Sequence, residues 1–259
     1  MTGAGIGSVL FGICLLHSWA NSSTHVLYPH EAVYSGGPSM FLRSASKRGL
    51  AVVGATTPVF LLATVAFCMG TRPLLSGAVL LGLMAGIRQL ERRMWHDEIV
   101  VKLGKYVPAA AALLGYVVAR GIAELTGQTD EVANAAGWEA GCGVMGGAFF
   151  LAGLAKLRES GMSWSKARNQ AILIVERSYS GPMPVRALRK WVAASPTLCL
   201  AAGLYGFYGE FLGLLFAVSW ARWPIAIFSV LLQIGITVLL GYIELEWMLI
   251  MVALALLSG

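Results

Sequence analysis

Charge is what this chain has least of. Only 12% of its 259 residues are Asp, Glu, Lys or Arg, 57% are hydrophobic, and the mean hydropathy is +0.71. A soluble domain carries roughly a quarter charged residues. Half that fraction excludes a water-facing surface of ordinary make-up, and no stretch is polar and long enough to form a separate soluble domain. Cysteine is scarce too. Cys14, Cys68, Cys142 and Cys199 sit singly inside apolar runs with no Cys-x-x-Cys spacing, which removes local support for a metal or redox pair. They read as small buried hydrophobes. The four histidines, His17, His25, His30 and His96, share no helical spacing, and no metal constellation is visible. No phosphate-binding loop, credible dinucleotide fingerprint or Ser/His/Asp pattern is found.

The charge that is present is basic: net +6, with a pI near 9.3. In so apolar a chain the reading is loops that set membrane topology and meet anionic headgroups, not nucleic-acid binding.

Apolar runs fill the space left by charge. A spanning helix needs about 20 mostly apolar residues, and inside lipid each segment must satisfy its own backbone polar groups, which favours helices. Spans are expected at 49–70, 73–90, 106–124, 137–157, 191–220, 223–243 and 245–258, the last one short. Residues 2–20 form a further short helix, either spanning or re-entrant, and 21–47 read as a polar loop. The expected fold is therefore an all-α polytopic transmembrane bundle of about seven or eight spans. Residues 1–48 form a short apolar helix and polar loop, and 49–259 form the membrane domain. Thr71-Arg72-Pro73 is a tight turn, and 125–136 is an acidic loop. The segment 158–190 is the longest polar stretch between spans, and Ala167–Tyr179 within it has the pattern of an interfacial amphipathic helix. The eight tryptophans fall near predicted span ends, as in interfacial belts.

Loops 21–48, 88–105 and 156–190, placed on one side, carry 16 of the 19 Lys and Arg, leaving only Arg72, Arg120 and Arg222 opposite. By the positive-inside rule the basic side faces the cytoplasm, or the matrix or stroma of an organelle. A bacterial inner membrane or an organellar membrane is expected.

Ionisable groups at membrane depth are costly and mark candidate sites. Lys156 closes a glycine-rich span (Gly141, Gly143, Gly146, Gly147 and Gly153) as either a snorkelling lysine or a desolvated base. Glu210 lies within an apolar run and calls for a partner: Arg120, Arg222, or the hydroxyls of Tyr205 and Tyr208. His96 and Asp97 read as a solvated face. Small residues along the 137–157 span let helix backbones approach closely.

The segment Phe149–Trp164, FFLAGLAKLRESGMSW, resembles the aromatic-aromatic-x-Ala-Gly-x-x-Lys-Leu…Trp signature of the HTTM superfamily. These are the membrane domains of vitamin K-dependent γ-glutamyl carboxylases and their bacterial relatives, and the pattern is distantly similar to DoxX-like proteins. Hydropathy and order extend the resemblance over roughly 50–255. It implies that Lys156 is a base acting on a reduced quinone, with Glu210 as proton partner. It also implies that Gly146, Gly153, Trp164, Tyr205 and Tyr208 line a site for a quinone or other isoprenoid lipid. The chain departs from the carboxylases in lacking an Asn-Asn-His run near Trp95–Glu98, in having Gln233 where they have a histidine, and in ending at Gly259 without a peptide-binding domain. Peptide carboxylation is not expected. The favoured expectation is a non-catalytic membrane subunit that packs against lipids and other membrane protein subunits. A Lys156-dependent quinone- or lipid-binding enzyme is the alternative, and a transporter is a weaker third.

Overall fold

The computed structural model describes residues 2–27, 47–94, 108–179, 181–241 and 245–259. Among these residues every regular element is a helix: α1 (Gly3–Leu27), α2 (Lys47–Cys68), α3 (Pro73–Met94), α4 (Pro108–Leu125), α5 (Asp130–Ser160), α6 (Ala167–Arg177), α7 (Met183–Ala193), α8 (Pro196–Leu212), α9 (Arg222–Leu240) and α10 (Leu245–Leu257). Short 3-10 turns follow α5 and α8. Seven of the described helical segments are long and apolar enough to cross a membrane, and the N-terminal one is among them. The chain is an integral membrane protein.

Several boundaries differ from the hydropathy reading. Helix α1 runs through the polar residues 21–27, where hydropathy predicts a loop. Helix α5 begins at Asp130, shrinking the acidic loop to residues 126–129. Both corrections have one cause: a polar helix end projecting from the apolar layer looks like a loop to a hydropathy window. The stretch 191–220 is not one helix. Residues 191–193 finish α7, and α8 starts afresh at Pro196, with Ser195 as N-cap accepting from the Leu198 N–H. Proline lacks the N–H that a continuous helix needs but suits a first turn. Helix α10, at 13 residues, is shorter than a full span. Residues 28–46 and 95–107, including His30, His96 and Asp97, lie outside the described residues.

Residues 1–141 form one compact unit and 142–259 another, with α5 contributing to both. In the first unit α1 and α2 run antiparallel. The Cys68 thiol reaches the Ser8 carbonyl at one end, and Trp19 Nε1 donates to Thr57 Oγ1 further along. A cluster of Phe11, Phe67, Tyr116 and Trp138 fills the centre. The Trp138 ring lies 5.3 Å from Phe11 and 4.3 Å from Tyr116. Gly137 makes room for it, because a Cβ there would stand 2.6 Å from the Tyr116 ring. Trp138 and Trp19 are thus buried packing groups rather than belt residues, whereas Trp191, Trp220 and Trp223 are exposed as the belt reading expects. The turn between α2 and α3 has Gly70 and Arg72 at positive φ, and the Thr71 N–H closes onto the Ala66 carbonyl.

In the second unit α9 and α10 are antiparallel. Arg222, at the start of α9, donates to the Ser258 carbonyl just beyond the end of α10. The Cys142 thiol reaches the Ser258 hydroxyl, while seven residues on Phe149 packs edge-on against Trp247, so α10 also runs antiparallel to α5. Helices α6 and α7 are the amphipathic pair. The sequence anticipated the first of them over 167–179. Buried Arg189 on α7 joins them to α9: Nε donates to the Val238 carbonyl at 2.7 Å and Nη1 to the Arg177 carbonyl at 2.6 Å. Those carbonyls belong to helix C-terminal turns that have no intrahelical donor of their own to spare, and a cation complements that end of the dipole.

Candidate functional site

The candidate site lies wholly in the second unit. Helix α5 carries Gly146, Gly153 and Lys156 along its length, and α8 delivers Glu210 in its last turn. Lys156 Nζ donates to Glu210 Oε1 at 2.5 Å. The pair is partly sheltered, with side-chain exposures of 28% for Lys156 and 11% for Glu210. The Trp164 ring stands over the ammonium, 4.9 Å from Nζ to the ring centroid, adding a cation–π contact.

Local sequence explains each placement. Gly161, at φ +55, ends α5 and lets the chain fold back through a 3-10 turn, which brings Trp164 over Lys156. Buried Gln170 pins that turn by donating to the Trp164 carbonyl. Gly203 allows α8 to pass beside it, since a Cβ there would meet the Ser165 carbonyl oxygen at 2.9 Å. Gly153 then lets α8 approach α5 where the pair forms: a Cβ on it would lie 3.1 Å from the Phe211 ring and 3.3 Å from Glu210 Cβ. Gly146, two turns earlier, meets the carbonyl oxygens of Gly213 and Leu214 at 3.0 and 3.2 Å from its Cβ position.

The structure thus brings Lys156, Glu210, Gly153 and Trp164 together, and it fills the spaces beside Gly146 and Gly153 with protein. It separates the tyrosines from the carboxylate. Tyr205 donates its hydroxyl to the Phe228 carbonyl at 3.1 Å, and Tyr208 is half exposed and packs edge-on against Phe207. The two arginines considered as partners for Glu210 have other contacts. Arg222 binds the Ser258 carbonyl. In the first unit, buried Arg120 gathers Tyr116, Glu124, Asp130 and Asn134 around its guanidinium, a network at the turn between α4 and α5. That network serves as a staple: Asn134 Oδ1 also accepts from the Tyr116 hydroxyl at 2.7 Å.

No family model, curated protein or solved structure matches this chain.

Two polar groups were not anticipated as a pair. Ser229 and Gln233 are one turn apart on α9, both buried, and Ser229 Oγ and Gln233 Oε1 have no hydrogen-bond partner among the described residues. A helical i, i+4 polar pair inside a spanning run was the available signal. Lysine as an ammonium has donors but no acceptor. In this geometry Lys156 holds a carboxylate and an aromatic face, which is an arrangement for joining α5 to α8.

Proposed function

We propose that this protein is a non-catalytic integral membrane subunit that packs against other membrane proteins in a larger assembly. The observation that carries the reading is a difference between glycines. Gly146 and Gly153 are filled by neighbours within the chain. Gly82 and Gly86 on α3, and Gly143 and Gly147 on α5, repeat the Gly-x-x-x-Gly spacing, yet a Cβ at any of the four meets nothing within 4 Å among the described residues. Glycine inside a helix costs about 1 kcal/mol relative to alanine, and lipid tails offer no compensation for it. A second helix does, because small residues at this spacing let two backbones meet closely.

The test is purification from native membranes in mild detergent, comparing the natural chain with Gly82→Leu/Gly86→Leu and Gly143→Leu/Gly147→Leu variants. Stoichiometric partners retained by the natural chain and lost from either variant, with the elution profile of the chain itself unchanged, are the expected result. Partners absent from the natural chain count against the reading.

A second reading has its own support: Lys156 and Trp164, which stands over its ammonium, lie within the segment that resembles the HTTM signature, with Lys156 at the lysine. Under that reading the chain is a carboxylase-like or quinone-binding membrane enzyme. A Lys156→Ala variant that loses quinone affinity, measured by direct titration, would move the assignment there.

A further inference from the structure

The first unit contains a cavity of about 270 Å³ between α1, α3 and α4 that neither reading above uses. Its walls are almost wholly apolar, with Trp19, Leu81, Met84, Ala111 and Leu114 among them. Every lining residue belongs to a helix long and apolar enough to span lipid. An apolar cavity of about 150 Å³ stays dry and takes up benzene. A space nearly twice that size, opening past the exposed residues Ala85 and Leu114, calls for hydrocarbon rather than water.

One end of the cavity is different. Arg88 lines it, and Ser18 and Ser22 of α1 are also among the lining residues. The Arg88 guanidinium holds Glu91 at 2.7 Å and keeps 22% of its side chain exposed. Between residues 88 and 94 the sequence sets three arginines (Arg88, Arg92, Arg93) against one glutamate, so the sequence of the last turns of α3 is net basic. An apolar cleft between membrane-spanning helices with a cation at one end matches an amphiphile with an anionic head.

We infer that the α1/α3/α4 cavity is a binding site for one acyl chain of an anionic membrane lipid, whose headgroup is drawn to Arg88. The chain fills the space beside Met84 and Ala111, and the headgroup phosphate meets the arginine at the basic end.

Photo-crosslinking tests this on the full chain. The protein is reconstituted in phosphatidylcholine vesicles doped with either phosphatidylglycerol or phosphatidylcholine carrying a diazirine in one acyl chain, and adducts are mapped by mass spectrometry. Adducts should concentrate on Leu81, Met84 and Leu114. The anionic probe should label them about fivefold more than the zwitterionic one, the equivalent of about 1 kcal/mol per cation near anionic headgroups. Ala111→Phe, which fills the cavity, should remove most of these adducts. Ala85→Phe, at the exposed rim, gives the same test if the first variant does not fold. Arg88→Gln should keep the adducts but bring the two probes to parity. The inference is overturned if labelling falls equally on outward Leu62 and Val65 of α2 and survives both phenylalanines, or if the natural chain labels equally with both probes.

Discussion

Lys156 Nζ and Glu210 Oε1 meet at 2.5 Å across α5 and α8, with the Trp164 ring over the ammonium. Spacing along the sequence offered Lys156 two fates, a snorkelling end residue or a buried base, and in the fold its contact with Glu210 also ties α5 to α8. Removing one partner should leave a sheltered charge without its counter-ion. The expected loss lies between the ~1 kcal/mol of an exposed pair and the roughly 3–5 kcal/mol of a buried one. Lys156→Met and Glu210→Gln, each compared with the double variant in a thermal or denaturant titration in detergent, measure it. The double variant should be more stable than the sum of the two losses predicts.

The glycines of α5 should split into two classes on substitution by alanine. Gly146→Ala forces a Cβ onto the Gly213 and Leu214 carbonyl oxygens, which are backbone and cannot swing away. This variant should be clearly destabilised. Gly143→Ala and Gly147→Ala meet open space in the isolated chain and should be neutral, or stabilising by up to about 1 kcal/mol from helix propensity. Melting temperatures of the three purified variants decide the point.

Ser229 and Gln233 place buried oxygens on α9 without partners among the described residues. An unsatisfied buried polar group costs roughly 1–3 kcal/mol, and an apolar replacement of similar shape removes that cost. Ser229→Ala and Gln233→Leu should therefore hold or raise the melting temperature. A marked drop in both would show that a polar ligand or ordered water normally occupies that face.

Arg189 should matter more than its place on an amphipathic, basic helix implies. Its guanidinium supplies donors to the carbonyls of Val238 and Arg177, fastening α6 and α7 to the end of α9. Arg189→Leu should loosen this pair and expose bonds after Arg177 and Lys190 to trypsin. Limited proteolysis should show cleavage there many-fold faster than in the natural chain, while Lys190→Leu, which removes only the contact of Nζ with the Tyr179 ring at 5.9 Å, should leave cleavage after Arg177 unchanged.

Which parts of this were readable beforehand follows from what each signal measures. Hydropathy locates the middle of a span, so α2, α3, α4 and α9 sit within a few residues of expectation. It does not register polar helix ends, which is why α1 continued to Leu27 and α5 began at Asp130 against expectation. Pro196 was visible as an interruption, but only the Ser195 cap shows that a new helix starts there. Within the site, Lys156 and Glu210 stood out because charge is costly at that depth. Glu210 was also expected as the proton partner of Lys156, but the direct contact depends on Gly153 and Gly203 letting α8 approach, a fact of three-dimensional packing. Arg189 and Arg120 were hidden for the opposite reason. Each lies near a polar segment where arginine is ordinary, and only the buried carbonyls and carboxylates around them reveal their role.

The most direct test of the account is native mass spectrometry of the chain extracted from its own membranes in mild detergent. A complex of fixed stoichiometry with one or more further membrane proteins, surviving Lys156→Met/Glu210→Gln, is the predicted result. A bare monomer carrying a quinone-sized adduct that disappears with Lys156→Ala would contradict it.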